Sequence, residues 1–419
     1  MKFIKDLNLK GKRVFLRADL NVSIKDGKII DDFRLRQILP TINYIQKNGG
    51  KVILATHIGQ PDAHSRTNYY DDSLSTKIIQ KWFEDPSIHL ASSALGANGV
   101  KYQTKYKIDL LKAVPFSHQD FNTILLLENL RFYNGEKGTP EERQKFAYLL
   151  KDLADIYIND AFALIHRSDC SITDLPKLFA PENRAFGFLI EKEIHELNKI
   201  KNKPAKPFMI VLGGNKIETK ISLLKNFLEK DQDNKPDSII IGGAIAYTFL
   251  ASQGYNMGKS IVEQNFIDFA KEFLVSAKDN NIKILLPIDH VINNNICENN
   301  SFDKNAIAID IGPKTIKLFS QEIAKAKTIF INGSMGIYQE LASRAGTKAI
   351  LQAVTNTSLR QGYGRQDQQA YKIAGGGDCV TAVNMFNLQD KFNFLSTGGG
   401  ATLAYLACND LKDLPGLNI

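Results

Sequence analysis

The feature that most limits the fold of this 419-residue chain is an alternation, sustained from end to end, of short apolar runs and longer amphipathic stretches. The runs fall at 13–17, 52–55, 123–127, 155–158, 208–212, 238–241, 282–286, 328–331, 372–374 and 392–395. Apolar at nearly every position rather than every second one, they read as strands covered on both faces. Helical patterns between them make neighbouring strands parallel and the fold class α/β. A chain of this length exceeds one ordinary core, so it divides. Residues 186–200 read as one helix, with Ile190, Ile194 and Leu197 on one face. The segment 201–207, with Pro204 and Pro207, ends it, because proline lacks the helical donor and forces its predecessor extended. The expected division is therefore 1–185, a connector at 186–203, and a second domain from 204.

A net charge of +8 and a pI near 9.0 favour anionic ligands. The basic residues are dispersed, without zinc-finger spacing, an RNP-like aromatic run or a Lys/Arg block, so nucleic acid is not an expected partner. Cys170, Cys297, Cys379 and Cys408 lack the spacing of a zinc or redox pair and suit a reducing cytosol. The N-terminal residues lack a signal peptide's apolar core, and the longest apolar run, 239–251, is too short for a bilayer. A cytoplasmic protein without membrane attachment is expected.

In open parallel sheets, ligands bind beyond the carboxyl ends of the strands. Nearly every such end here is polar or glycine-rich. In the first half these ends carry Asp19 and Asn21, then His57, Gly59 and Gln60, then Arg131, with Arg167 close behind the fourth. Arg34 precedes a helix. Guanidinium forks hold phosphate or carboxylate in two places at once, so arginines at successive strand ends point to a small anion.

The second half reads differently. Residues 207–220 suggest a strand, the pair Gly213-Gly214, and a helix with Lys216 and Lys220 on one face. Glycine lets the backbone approach a ligand, and a helix N-terminus offers unpaired N–H groups to phosphate. Further clusters surround Gly242-Gly243, Gly312, Gly333 and Gly336, Gly375-Gly376-Gly377-Asp378, and Gly398-Gly399-Gly400. Asp378 beside such a loop could hold Mg²⁺, which commonly takes one or two carboxylates plus phosphate oxygens. A dinucleotide fingerprint is missing. The segment 254–260 resembles a P-loop but has one residue too few between its glycines, and follows a helical stretch. The Asn-rich segment 293–305 and the Gln/Gly/Arg-rich 356–369 read as surface loops, the second partly helical; His64, His89, His118, His195 and His290 read as scattered surface or core histidines. An anion grip in one half and a nucleotide cradle in the other suit phosphoryl transfer, where catalysis is mostly positioning and charge neutralisation.

Taken together, Arg17-Ala18-Asp19-Leu20-Asn21, His57-Ile58-Gly59-Gln60-Pro61, Glu128-Asn129-Leu130-Arg131-Phe132, Asn159-Asp160-Ala161-Phe162, Leu212-Gly213-Gly214-Asn215-Lys216 and Gly375-Gly376-Gly377-Asp378 resemble the phosphoglycerate kinases, in family order along nearly the whole chain. The resemblance implies two Rossmann-like αβα domains with mostly parallel sheets, joined by a hinge helix. A first domain would take the three-carbon acid, and a second, 204–402, the nucleotide; a tail at 403–419 would pack back on the first. It implies a monomer that closes about its hinge and transfers phosphoryl reversibly between 1,3-bisphosphoglycerate and ADP, giving 3-phosphoglycerate and Mg-ATP in glycolysis. By position, Asp19, Asn21, Arg34, His57, Gly59, Gln60, Arg131 and Arg167 would bind the acid. Gly213, Gly214, Lys216, Lys220, Gly312, Gln339, Gly375, Gly376, Gly377 and Asp378 would bind the nucleotide, with Asp378 on the metal. Arg34, Lys216, Gly377 and Gly400 would serve the transfer itself, and the nucleophile, already an ionised oxygen, needs no general base.

The sequence departs from the family's pattern mostly in the site. Gln60 stands where the family has arginine, Asp169 where it has histidine, Ala163 where it has glycine, and Ser334 where it has proline. Gln339 falls where a glutamate meets the ribose, with Glu340 adjacent, and Cys379 replaces Thr or Ser. Gln60 and Asp169 keep open an alternative, a catalytically weakened relative that binds nucleotide.

Overall fold

The computed structural model describes residues 1–61, 72–85, 101–104, 123–293, 295–359 and 368–419. His64, His89 and His118, singled out above, lie outside them, as do residues 360–367 of the Gln/Gly/Arg-rich segment. The chain separates into two compact units, residues 1–194 with 410–419, and residues 195–409.

In the first unit the strands are β1 (Arg13–Ala18), β2 (Lys51–Ala55), β3 (Lys101–Thr104), β4 (Thr123–Leu126), β5 (Ile156–Asp160) and β6 (Arg184–Phe186). They line up as β3-β4-β2-β1-β5-β6, every pairing parallel. Both faces are covered, and the side-chain period of two shows how. Val14, Leu16, Val52, Leu54, Ile156 and Ile158 enter one cluster with helix Phe33–Lys47. Phe15, Ile53 and Tyr157 enter another with helix Pro140–Lys151. That helix opens on a capping box, Thr139 and Glu142 each taking the other's backbone N–H, with Pro140 at its first position. The C-terminal residues belong to this unit. Asn159 Nδ2 donates to the Gly416 carbonyl at 2.9 Å, and Gly416 N donates to Ile165 O at 2.8 Å. A Cβ on Gly416 would come within 2.7 Å of Ile165 Cα, so only glycine fits that approach.

The second unit contains β7 (Phe208–Leu212), β8 (Ser238–Ile241), β9 (Lys283–Leu285), β10 (Thr328–Asn332), β11 (Tyr371–Gly375) and β12 (Phe394–Ser396), ordered β9-β8-β7-β10-β11-β12. All pairings are again parallel. The winding direction reverses between β7 and β10, which opens a crevice beyond their carboxyl ends.

Five sequence readings change. The helix after Gly213-Gly214 begins only at Ile221, behind a 3₁₀ turn at Glu218–Lys220, so Lys216 lies in the loop and Lys220 at the helix start. The helix expected from 186 is Phe188–Lys201, because Phe186 pairs into β6, and Arg34, expected just before a helix, lies within its first turn. The segment 293–305, expected to be loop, contributes Asn295–Glu298 to an antiparallel hairpin with Asp289–Ile292. Asn293 turns it with φ +48°, a conformation asparagine tolerates, and exposed polar positions on the edge strand hid the pattern. In 356–369, expected to be partly helical, Ser358–Leu359 pairs antiparallel with Gln368–Gln369 instead.

Candidate functional site

Each unit presents a candidate site at the carboxyl ends of its strands. In the first, Asp19 follows β1 and is 6% exposed; its Oδ2 accepts from Arg34 Nη1 at 2.5 Å. Arg34 Nη1 also donates to the Asn21 carbonyl at 3.2 Å. The peptide of Gly59 ties two more residues in: its N–H donates to Asn21 Oδ1 at 2.8 Å, and its carbonyl accepts from Arg131 Nη1 at 2.6 Å. Gly59 has φ +60°, and a Cβ there would stand 2.7 Å from Leu74 Cδ2. Gln60, next in line, is exposed.

His57 is buried at the centre. Its pKa falls well below the ordinary 6.5, first because burial disfavours the charged ring and then because Arg17, Arg131, Arg167 and Arg34 all act on it. Arg17 Nη2 stands 3.4 Å from His57 Nδ1, and the other three guanidinium groups act on the same ring. His57 is consequently neutral near pH 7. Arg167 is half-buried.

Arg17 is the residue the sequence reading did not single out. Its side chain, 0% exposed, points from β1 into the second cluster's face, where Nε donates to Ser171 Oγ at 2.7 Å. Its Nη2 lies 3.5 Å from Glu136 Oε1, itself fully buried. Burial raises the Glu136 pKa, an effect that Arg17 opposes. A charged residue inside an apolar run was the available signal, since such a group must find a partner.

The second unit's site is built largely from backbone. Gly213 N donates to Asn332 O and Gly214 N to Ser334 O, each at 2.8 Å, clamping the loops after β7 and β10 together. A Cβ on Gly213 would meet Ser334 O at 2.2 Å, and one on Gly243 would meet the same atom at 2.6 Å, so the sheet end closes only with glycines. Ser334 thus participates through its carbonyl. Gly376, at φ +97°, precedes helix Gly377–Met385, and Gly399, at φ +53°, precedes helix Gly400–Ala407. Gly377 and Gly400 are exposed at the two helix starts, with first-turn N–H groups that the helix leaves unpaired.

A cavity of about 360 Å³ opens beside these loops. Tyr247, Ile261, Ile307, Met335 and Ile337 wall it, while Gly214, Asn215, Gln339 and Asp378 line its polar part. Ile261, Ile307 and Ile337 are 57%, 50% and 44% exposed; three isoleucines left uncovered around one cavity suit a flat apolar ligand. Of the sequence-expected residues, Gly214, Gln339 and Asp378 line it, whereas Gly312 does not: it precedes helix Pro313–Ile323, where a Cβ would stand 2.4 Å from Asp289 Cγ. Lys216 is exposed. The Lys220 pKa is lowered to about 8 by burial, against which Asp378 and Cys379 act, so Lys220 and Asp378 share a neighbourhood. Cys379 is buried with its thiol pushed up to about 12. Among the described residues no three His, Cys, Asp or Glu side chains gather as a metal cage. A single carboxylate beside a phosphate cradle does fit Mg²⁺, which relies on ligand oxygens. No described helix is long and apolar enough to cross a membrane.

Two parallel α/β units, one with clustered guanidinium groups and one with glycine-built helix starts beside a cavity, define a nucleotide-dependent phosphotransferase. The phosphoglycerate kinase family model matches residues 4–409. Curated phosphoglycerate kinases of Dictyoglomus turgidum and Clostridium tetani are 38% and 35% identical, covering 99% and 100% of this chain and 97% and 98% of their own. The solved phosphoglycerate kinase of Pyrococcus horikoshii superposes with a TM-score of 0.80 at 28% identity, covering 100% of this chain and 98% of that one. The Coxiella burnetii enzyme gives 0.74 at 32%, covering 99% and 98%. The chain belongs to the phosphoglycerate kinase family, as a kinase of glycolysis acting on phosphoglycerate and nucleotide.

Proposed function

We propose that the first unit holds the three-carbon acid and the second the nucleotide, for reversible phosphoryl transfer between 1,3-bisphosphoglycerate and ADP. The observation that carries this assignment is the convergence of Arg34, Arg131 and Arg167 on neutral His57. Arg34, already held by Asp19, and Arg131, held by Gly59 O, are oriented before a ligand arrives. Preorganised donors stabilise developing charge without reorganising during the reaction. Asp19, Asn21 and Gln60 complete the acid's surroundings.

The isoleucine-walled cavity suits the base, with Gln339 at its polar rim toward the ribose. Gly375 to Gly377 and Gly400 offer N–H groups to the phosphate chain, Lys220 neutralises it, and Lys216 follows the migrating group. Mg²⁺, held by Asp378 and phosphate oxygens, would supply charge neutralisation. The nucleophile is an ionised carboxylate or phosphate oxygen, so no side chain removes a proton. A cytoplasmic monomer accords with this reading. A coupled assay of ATP consumption with 3-phosphoglycerate tests it: steady turnover supports the kinase, while nucleotide binding without turnover supports the weakened relative that Gln60 and Asp169 suggest.

A further inference from the structure

The guanidinium cluster of the first unit is not purely cationic. Arg17, Arg34, Arg131 and Arg167, with Lys137 at the edge, act within it, and three carboxylates face them. Two of the three are fully engaged. Asp19 accepts from Arg34 at 2.5 Å and from the Asn21 N–H at 3.2 Å. Glu136 accepts from Ser171 N at 3.0 Å and Ser171 Oγ at 2.6 Å, beside Arg17.

The third, Asp169, differs. It is 6% exposed and opens the single-turn helix Cys170–Thr173, yet its side chain makes no capping bond. Its Oδ2 stands 3.7 Å from Arg131 Nη2, too far for a hydrogen bond. Among the described residues neither Asp169 Oδ2 nor the Nε and Nη2 of Arg131, itself 4% exposed, has a hydrogen-bond partner. Arg131 is fixed through Nη1 alone, which leaves Nε and Nη2, its two parallel donors, for a bidentate anion. A carboxylate therefore stands at the edge of the very face an anion must occupy.

We propose that Asp169 is an affinity-setting residue, acting through Arg131: a built-in counter-charge that weakens the hold of this site on a fully ionised phosphate or carboxylate. Buried like charges a few ångströms apart repel strongly at the effective dielectric of a protein, while the Asp169–Arg131 attraction must be given up when a ligand takes the guanidinium face. The consequence is loose binding and fast release of the three-carbon acid, with the nucleotide site untouched. The inference rests on the acid-site reading above.

Asp169→Asn keeps the side chain's shape and removes its charge; Asp169→Ser removes it by a second route. Both should bind 3-phosphoglycerate about tenfold more tightly by calorimetry, with a matching fall in its KM. The KM for ATP should not move, and inorganic sulfate should compete better against the triose acid in the variants. A merely structural role would shift both substrates together, and a misfolded variant would lose rather than gain affinity. Unchanged or weaker triose binding in a variant that still binds ATP overturns the inference. If the unmodified protein shows no saturable 3-phosphoglycerate binding at all, the acid-site reading fails and takes this inference with it.

Discussion

On the proposed function, the two units hold phosphorylated ligands with different materials. The first uses side-chain charge: four guanidinium groups around one imidazole. The second uses backbone: glycines at φ +97° and +53° ahead of two helix starts, and loops clamped by amide bonds. Side-chain cations must be balanced inside the fold, so carboxylates come with them, as Asp19, Glu136 and Asp169 do. Amide dipoles need no counter-charge, only the absence of a Cβ. The first design can be tuned by one acidic residue, and the second is broken by one methyl group.

Substitutions can break this comparison, and the largest effect is expected where a balanced charge is removed. Glu136→Gln leaves the Arg17 guanidinium buried beside a neutral group and should lower unfolding free energy by about 3–5 kcal/mol in urea titrations. A loss under about 1 kcal/mol would mean that the array does not need its counter-charge. Next in size, Lys216→Ala should cut turnover on the order of 10²–10³-fold with nucleotide affinity nearly constant, since Lys216 is exposed in the loop rather than among the cavity's lining. Unaltered turnover would remove it from the transfer step.

Smaller effects sharpen the contrast. Gly376→Ala forces a side chain into φ +97° with its Cβ 2.7 Å from Asn332 Nδ2. Strain of about 1–2 kcal/mol predicts a roughly tenfold weaker nucleotide complex. Triose-acid affinity should hold; if calorimetry shows both falling, the two sites are not separately built. The mildest effect is a pH slope. With its pKa near 8, Lys220 is charged below that value and loses its proton above it. ATP affinity should therefore decline as pH rises past about 8, and Lys220→Met should flatten the profile over that interval. A slope that survives the substitution belongs to another group.

Much of this was readable from residue order. Continuous apolar runs gave parallel sheets, because alternation is lost only when both faces are covered. Polar clusters at run ends pointed to both candidate sites. Other features were hidden for physical reasons. The 289–298 hairpin carries polar residues on an exposed edge, where burial imposes no pattern. The turn at Asp26-Gly27, with φ +50° and +68°, carried a hairpin signal in its Asp-Gly pair that the alternation overshadowed. Lys216 and Lys220 shared a helical spacing, but the chain needed a 3₁₀ turn before its helix, and spacing cannot report where hydrogen bonding begins.

The sequence by itself determined the class of fold, the polar character of the strand ends and the family, since these depend on local composition and order. Only the tertiary structure decided that Arg17 lies buried against Glu136, that Asp169 stands 3.7 Å from Arg131, and that isoleucines from distant segments wall one cavity. Each is a distance between residues far apart along the chain. Electrostatic energy depends on that distance and on burial, and neither is written in the order of the residues.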